Sequence, residues 1–209
     1  MSLDLDALLA PPTPTAALAL ETVRRWSSPA LVEHGLRSWA WARLRGDALG
    51  LDYDAELLYV AAMLHDLGVS PAFDAHETAF EQAGGAAAWA FAAGAGWPHA
   101  RRERVREVIE RHMWLSVDPD LDAEGHLLEV ATSLDVSGTA PDLWDVATLR
   151  AVEARHPRSG FTAEFAGCIH AQARRKPASA AARLDASVNI AAGGAVWEAI
   201  LGGAGEDGR

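Results

Sequence analysis

The stretch Leu57-Leu-Tyr-Val-Ala-Ala-Met-Leu-His-Asp-Leu-Gly68 limits the folds open to this chain more than any other. It is apolar on every side until its last turn, and a helix that is apolar all round belongs in the centre of a packed domain. The last turn then presents His65 and Asp66 in succession, and Gly68 suits the left-handed residue that ends a helix. An imidazole and a carboxylate are costly in a core unless something neutralises them. A divalent metal does so, because neutral His and ionised Asp are good ligands together; hydrogen bonds to other protein groups do so as well. Neighbours on a helix diverge by about 100°, so both reach one ion only from the flank of a turn.

Three further polar residues fall on inward faces. Ser28-Pro29 opens a helix in which Leu31, His34, Gly35, Ser38, Trp41 and Ala42 recur at i, i+3, i+4, i+7 spacing, which turns His34 inward and leaves Arg37, Arg43 and Arg45 elsewhere. After Pro98, Val105, Val108, Ile109 and His112 form a second such stripe, and charged residues up to Arg111 cover the remaining, solvated faces. The helix from His126 to Gly138 has Leu127, Leu128, Val130, Ala131 and Leu134 as its stripe, with Asp135 on the edge, placed either to cap a neighbour or to ligate. His34, His65, Asp66 and Asp135 thus come from three helices and make a sensible site for Zn²⁺, Fe²⁺, Mn²⁺ or Co²⁺. His126 cannot easily join Asp135 on one ion, since nine helical residues span about 13.5 Å. One metal is expected, with His112 in the pocket as a hydrogen-bond donor or proton carrier; a second ion would need His112 as a ligand.

At 209 residues the chain can build one domain with a sizeable core, and its abundant Ala with few β-branched residues favours helices. The expected organisation is an arm over 1–15, a helical domain over 16–201 with its metal-site core at 29–138, and a disordered tail over 202–209. Other helices are expected from Thr15 to about Trp26, from His76 to Ala88, from Asp142 to about His156 and from Phe161 to Arg175. Gly84 and Gly85 give the second of these a small-residue face for the central helix. His76-Glu77 does not begin the zinc-protease pattern H-E-x-x-H, because position 80 is Phe. Asp118 to Asp122 reads as a solvated acidic loop without EF-hand spacing. The formal charge of −11 repels nucleic acid and anionic membranes, and no run reaches the length of a membrane span. The single cysteine, Cys168, excludes an intramolecular disulfide and any Cys-rich zinc site. With no basic signal-peptide start, the cytoplasm is the default compartment. Phe73, Phe80, Trp114 and Trp144 are candidate pocket walls.

The order His34…His65-Asp66…Asp135 resembles the metal-ligand signature of the HD superfamily, an all-α fold of metal-dependent hydrolases, over roughly residues 29–138. Phe80-Glu81-Gln82-Ala83-Gly84-Gly85-Ala86-Ala87 resembles the F-E-x-x-G-G/A-x-x-A segment of the cyanamide hydratase-like branch. Val108 to His112 resembles that branch's I-x-R-H segment, and Val130 to Asp135 its final ligand helix. Val69 stands where HD nucleotidases carry Glu, and no GYP-type motif follows. The resemblance implies an all-α, single-domain hydratase or hydrolase that adds metal-activated water to a small nitrogen-containing molecule. His34, His65, Asp66 and Asp135 would hold the ion, Asp66 would accept a proton from water, and His112 would move one onto the substrate nitrogen. Phosphate-ester hydrolysis on a nucleotide is the alternative, with Arg37 and Arg111 as its cations although both point outward by periodicity. A non-catalytic small-molecule binder is a third. The expected partner is a small substrate, not nucleic acid or membrane, with the oligomeric state left open.

Overall fold

Side-chain caps decide where several helices begin. Thr13, Ser28, Asp54, Asp122 and Asp145 each accept a hydrogen bond from a backbone N–H of the first turn, and Pro14 and Pro29 follow two of them in the position where a missing N–H costs nothing. The structure, a computed structural model, describes residues 4–187 and 190–202. In chain order these form α1 (Leu5–Leu9), α2 (Pro14–Trp26), α3 (Pro29–Leu49), α4 (Ala55–Leu64), α5 (Phe80–Gly94), α6 (His99–Arg111), α7 (Ala123–Ser137), α8 (Val146–Arg155), α9 (Phe161–Arg175), α10 (Ala180–Ser187) and α11 (Ile190–Gly202). Among the described residues there is no strand, so the fold is an all-α bundle. None of its helices is long and apolar enough to cross a membrane.

The central helix is α4. Every residue from Leu57 to Leu64 is buried, and α2, α3, α5, α6 and α7 all pack around it. Each large apolar side chain so enclosed contributes on the order of 1.5–3 kcal/mol. The helix ends at His65 and passes through Asp66 into a 3-10 turn at Leu67–Val69. Gly68 has no left-handed backbone, contrary to the expectation from sequence. Its role is close approach: a Cβ there would lie 2.0 Å from the Phe80 carbonyl oxygen. Gly84 does the same for the His65 carbonyl, where a Cβ would lie 2.6 Å away. The small face of α5 therefore does seat against the end of the central helix.

Several boundaries differ from the sequence reading. The expected arm contains α1, whose Leu8 and Leu9 are buried and whose Leu8 carbonyl accepts from the Trp39 indole at 2.9 Å. α5 starts at Phe80, and His76 lies in the exposed loop before it. Arg37 is fully buried, since α3 is enclosed on most of its faces. Asp122 is also buried: it caps α7 through Gly125 and pairs with Arg104 and Arg111. α10 and α11 have no counterpart among the expected helices, and Gly202, assigned to the tail, ends α11. The rest of that tail, 203–209, lies outside the described residues.

Because the atoms that a Gly68 side chain would meet are backbone, they cannot rotate away. Gly68→Ala should lower unfolding stability by about 1–3 kcal/mol or more in urea titration. An unchanged midpoint would show that the Phe80 carbonyl yields freely.

Candidate metal centre and its pocket

Three ligand-type atoms converge where α3 meets the end of α4. His34 Nε2 lies 3.0 Å from His65 Nε2, and Asp66 Oδ2 lies 3.5 Å from the first and 3.3 Å from the second. All three side chains are buried. The other ring nitrogens fix the tautomers. His34 Nδ1 is 2.7 Å from the Asp135 carboxylate, and His65 Nδ1 is 2.9 Å from the Ala62 carbonyl oxygen. Both partners are acceptors only, so each Nδ1 carries the proton and each Nε2 presents a lone pair. Two lone pairs at 3.0 Å do not bond each other. Both Asp66 oxygens are buried and make no hydrogen bond among the described residues. A cation between these atoms satisfies all of them, so the donor set fits a divalent metal.

Charge follows the same pattern. Burial would push the Asp66 carboxyl up, but His65, with His34 and His112 further off, holds it below the ordinary carboxylate range. Burial lowers His34, and the pull of Asp135 does not reverse this, so that ring stays neutral. Burial also opposes a charge on His65, yet Asp66 beside it raises the net affinity for a proton above the ordinary value.

Asp135 does not join the three ligand atoms. Its carboxylate lies on the Nδ1 side of His34, away from the ring nitrogen that faces His65. The reason is competition. Arg37 binds it through two nitrogens, each at 2.9 Å, Arg158 adds another contact at 2.9 Å, and the Trp41 indole donates at 3.1 Å. Burial works against this charge, but Arg37 and Arg158 hold the carboxyl well below the usual range. Asp135 thus fixes the tautomer and orientation of His34 from behind, as carboxylates do for metal-bound histidines. The sequence reading named Arg37 only as an outward-facing cation for the phosphate-ester alternative and did not single out Arg158. Phe161, stacked on the His34 ring at 4.5 Å, was also missed.

The cluster opens on a cavity of about 130 Å³, which His112 also lines. Burial, with His65 next to it, lowers His112 to about 3. Its Nδ1–H donates to the Ile109 carbonyl, so its Nε2 is an acceptor; of the two roles expected from sequence, donor or proton carrier, this atom does not supply the first. Thr132, Ser133, Ser137 and Thr139 supply hydroxyls to the same cavity. Their protons are directed elsewhere. Thr132 donates to the Leu128 carbonyl at 2.9 Å, Ser133 to Glu129 at 3.1 Å, and Ser137 to the Ser133 carbonyl at 2.7 Å. Ser137 and Thr139 share a contact at 2.6 Å, in which Thr139 is left to donate. The hydroxyl wall therefore offers lone pairs only. Met113, Phe165 and Leu184 are apolar lining. None of the four expected aromatic walls lines the cavity: Trp144 is buried on the Trp41 carbonyl, Trp114 is exposed, Phe73 packs on Trp26, and Phe80 makes a T-shaped contact with His112.

The buried ion cluster generates a stability prediction. Asp135→Asn would leave Arg37 and Arg158 without their shared countercharge, at a cost of about 3–5 kcal/mol. Chemical denaturation measures it, and a loss below about 1 kcal/mol would mean that Glu153 or water replaces the charge.

No family model matches the chain. Two curated proteins of Saccharomyces cerevisiae do: cyanamide hydratase DDI2 and cyanamide hydratase DDI3 are each 30% identical to it over 176 residues, which make up 82% of this chain and 78% of the relative. Most of both lengths is therefore shared, with the region of His34, His65, Asp66 and the hydroxyl wall inside one bundle. The chain belongs to the cyanamide hydratase family.

Proposed function

We propose that the chain is a metal-dependent hydratase of the HD type that adds water to the nitrile of cyanamide or a close small analogue, giving urea from cyanamide. One observation carries the reading: two lone-pair nitrogens and an unpartnered carboxylate face one point beside a small cavity walled by hydrogen-bond acceptors. The relatives' names add the substrate. His34, His65 and Asp66 would hold the ion, and Asp135 would orient His34. A bound divalent cation, whether Zn²⁺, Fe²⁺, Mn²⁺ or Co²⁺, lowers the pKa of water and polarises a nitrile.

The chain's own groups account for the remaining steps. The amino hydrogens of cyanamide need acceptors, and the hydroxyl oxygens of Thr132 and Ser133 present them. The second oxygen of Asp66 can hold the attacking water by one of its hydrogens. His112, neutral with a bare Nε2, takes a proton from that water as its oxygen bonds to the nitrile carbon. It returns the proton to the former nitrile nitrogen, and transfer of the remaining hydroxyl proton yields the carbonyl of urea. Phosphate-ester hydrolysis loses its footing here, because no Lys or Arg among the described residues lines the cavity and Arg37 is held by Asp135.

Purified metal-replete protein should convert cyanamide to urea, and chelation should abolish this until a divalent metal is restored. Hydrolysis of an aryl phosphate with no urea from cyanamide would overturn the proposal. Within the pocket the two kinds of residue should separate. His112→Gln should keep its metal and lose on the order of 10²-fold in kcat. Thr132→Val, which keeps the shape and removes the acceptor, should chiefly raise KM, by about tenfold. Unchanged kinetics with full metal content would remove either residue from its role.

A further inference from the structure

Glu81 belongs to the segment after Phe80 that the hydration chemistry leaves unused. It is 8% exposed, and its Oε2 is buried with no hydrogen-bond partner among the described residues. A buried, unsatisfied carboxylate oxygen needs a reason. Glu81 lies on a cleft of about 540 Å³ between the start of α5 and the junction of α9 with α10, apart from the metal pocket. Glu77 stands with it on the α5 side, and Arg175, Lys176 and Arg183 line the other.

The cations do not close on the carboxylate. Arg175 pairs with Asp74 at 2.6 Å, and Lys176 donates to Gln172 and lies 3.5 Å from Asp74. The Arg183 guanidinium makes no ion pair or hydrogen bond among the described residues. Burial raises the Glu81 carboxyl, and the charges of Arg183 and Lys176 offset this only in part, because neither comes within ion-pair distance of it. Opposite charges on flexible side chains ordinarily collapse into contact; here a cleft separates them. Ser179 caps α10 from its own edge of the cleft through the Ala182 N–H, so the first amides of that helix add positive polarity on the arginine side. The cleft is therefore acidic on one side and cationic on the other.

We propose that this cleft is a second binding site, for a small zwitterion whose ammonium or guanidinium group meets Glu81 and whose carboxylate meets Arg183. Such a ligand would bring a cation to the Glu81 edge of the cleft and an anion to the Arg183 guanidinium together. It also bridges α5 to α10, and α10 carries Leu184 into the lining of the metal pocket.

Isothermal titration of the metal-replete full chain tests this with β-alanine and guanidinoacetate as probes, and with acetate and methylammonium as separate halves. Saturable binding of at least one zwitterion and of neither half is expected. Glu81→Gln and Arg183→Ala should each weaken it by about tenfold or more, worth about 1.4 kcal/mol. Arg183 is exposed, so its variant keeps the fold even where Glu81→Gln does not. No saturable binding of either zwitterion, equal binding of acetate alone, or binding that survives Arg183→Ala would each overturn the proposal. The readout is binding alone and does not depend on cyanamide turnover.

Discussion

Asp135 carries its negative charge at a fully buried point of the molecule, and four side chains from two other parts of the chain converge on it. Arg37, His34 and Trp41 arrive from α3, and Arg158 from the link between α8 and α9. Burying one charge in a core is prohibitive, and burying three is tolerable only when each is paired and hydrogen-bonded. That requirement dictates much of the bundle. α3 must run against α7, the chain after α8 must return over both, and the His34 ring is held with one nitrogen on the carboxylate and the other facing His65. The metal centre is in this sense a by-product of a well-satisfied ion cluster. Its geometry is set from behind, by groups that need never touch the ion.

The contrast between Asp135 and Asp66 shows how the same side chain takes two roles. Asp135 has its lone-pair positions occupied by the Arg37 and Arg158 guanidiniums, the Trp41 indole and the His34 imidazole. Asp66, next to His65 at the end of α4, has none. Both are held ionised, one by arginines and one by imidazoles. Only the second can offer oxygens to an incoming cation. The hydroxyls along α7 and just after it extend the principle. Their polarity is decided by where their single proton already points, and three of the four point theirs at backbone or at Glu129.

The central helix, His34, His65 and Asp66 were legible because apolar residues crowd their helices at regular spacing. Where that signal fails, the sequence reading fails with it. Arg37 is three residues after His34, on nearly the same face, but a charged side chain in a periodic pattern reads as solvent-facing unless its countercharge is known. Asp135 lies 98 residues away, and nothing in either segment names the other. Arg158 sits in a link with no periodicity at all. α1 is too short for a periodic stripe, and α10 and α11 are rich in Ala and Gly, so neither shows a clear edge. Gly68 was rightly singled out as special and wrongly explained, since close backbone approach leaves the same mark in a sequence as a left-handed turn.

The last helix bears on how the centre comes into being. The Trp197 indole donates to the Leu134 carbonyl at 3.1 Å, lies 4.6 Å from the Arg158 guanidinium and stacks on Trp41. During synthesis, His34, His65 and Asp66 leave the ribosome early, while Asp135 follows 101 residues after His34 and the supports from Arg158 and Trp197 later still. The nascent chain thus holds its ligands well before it can hold them in place. Affinity of this cluster for a cation would therefore depend on the docking of these distant segments.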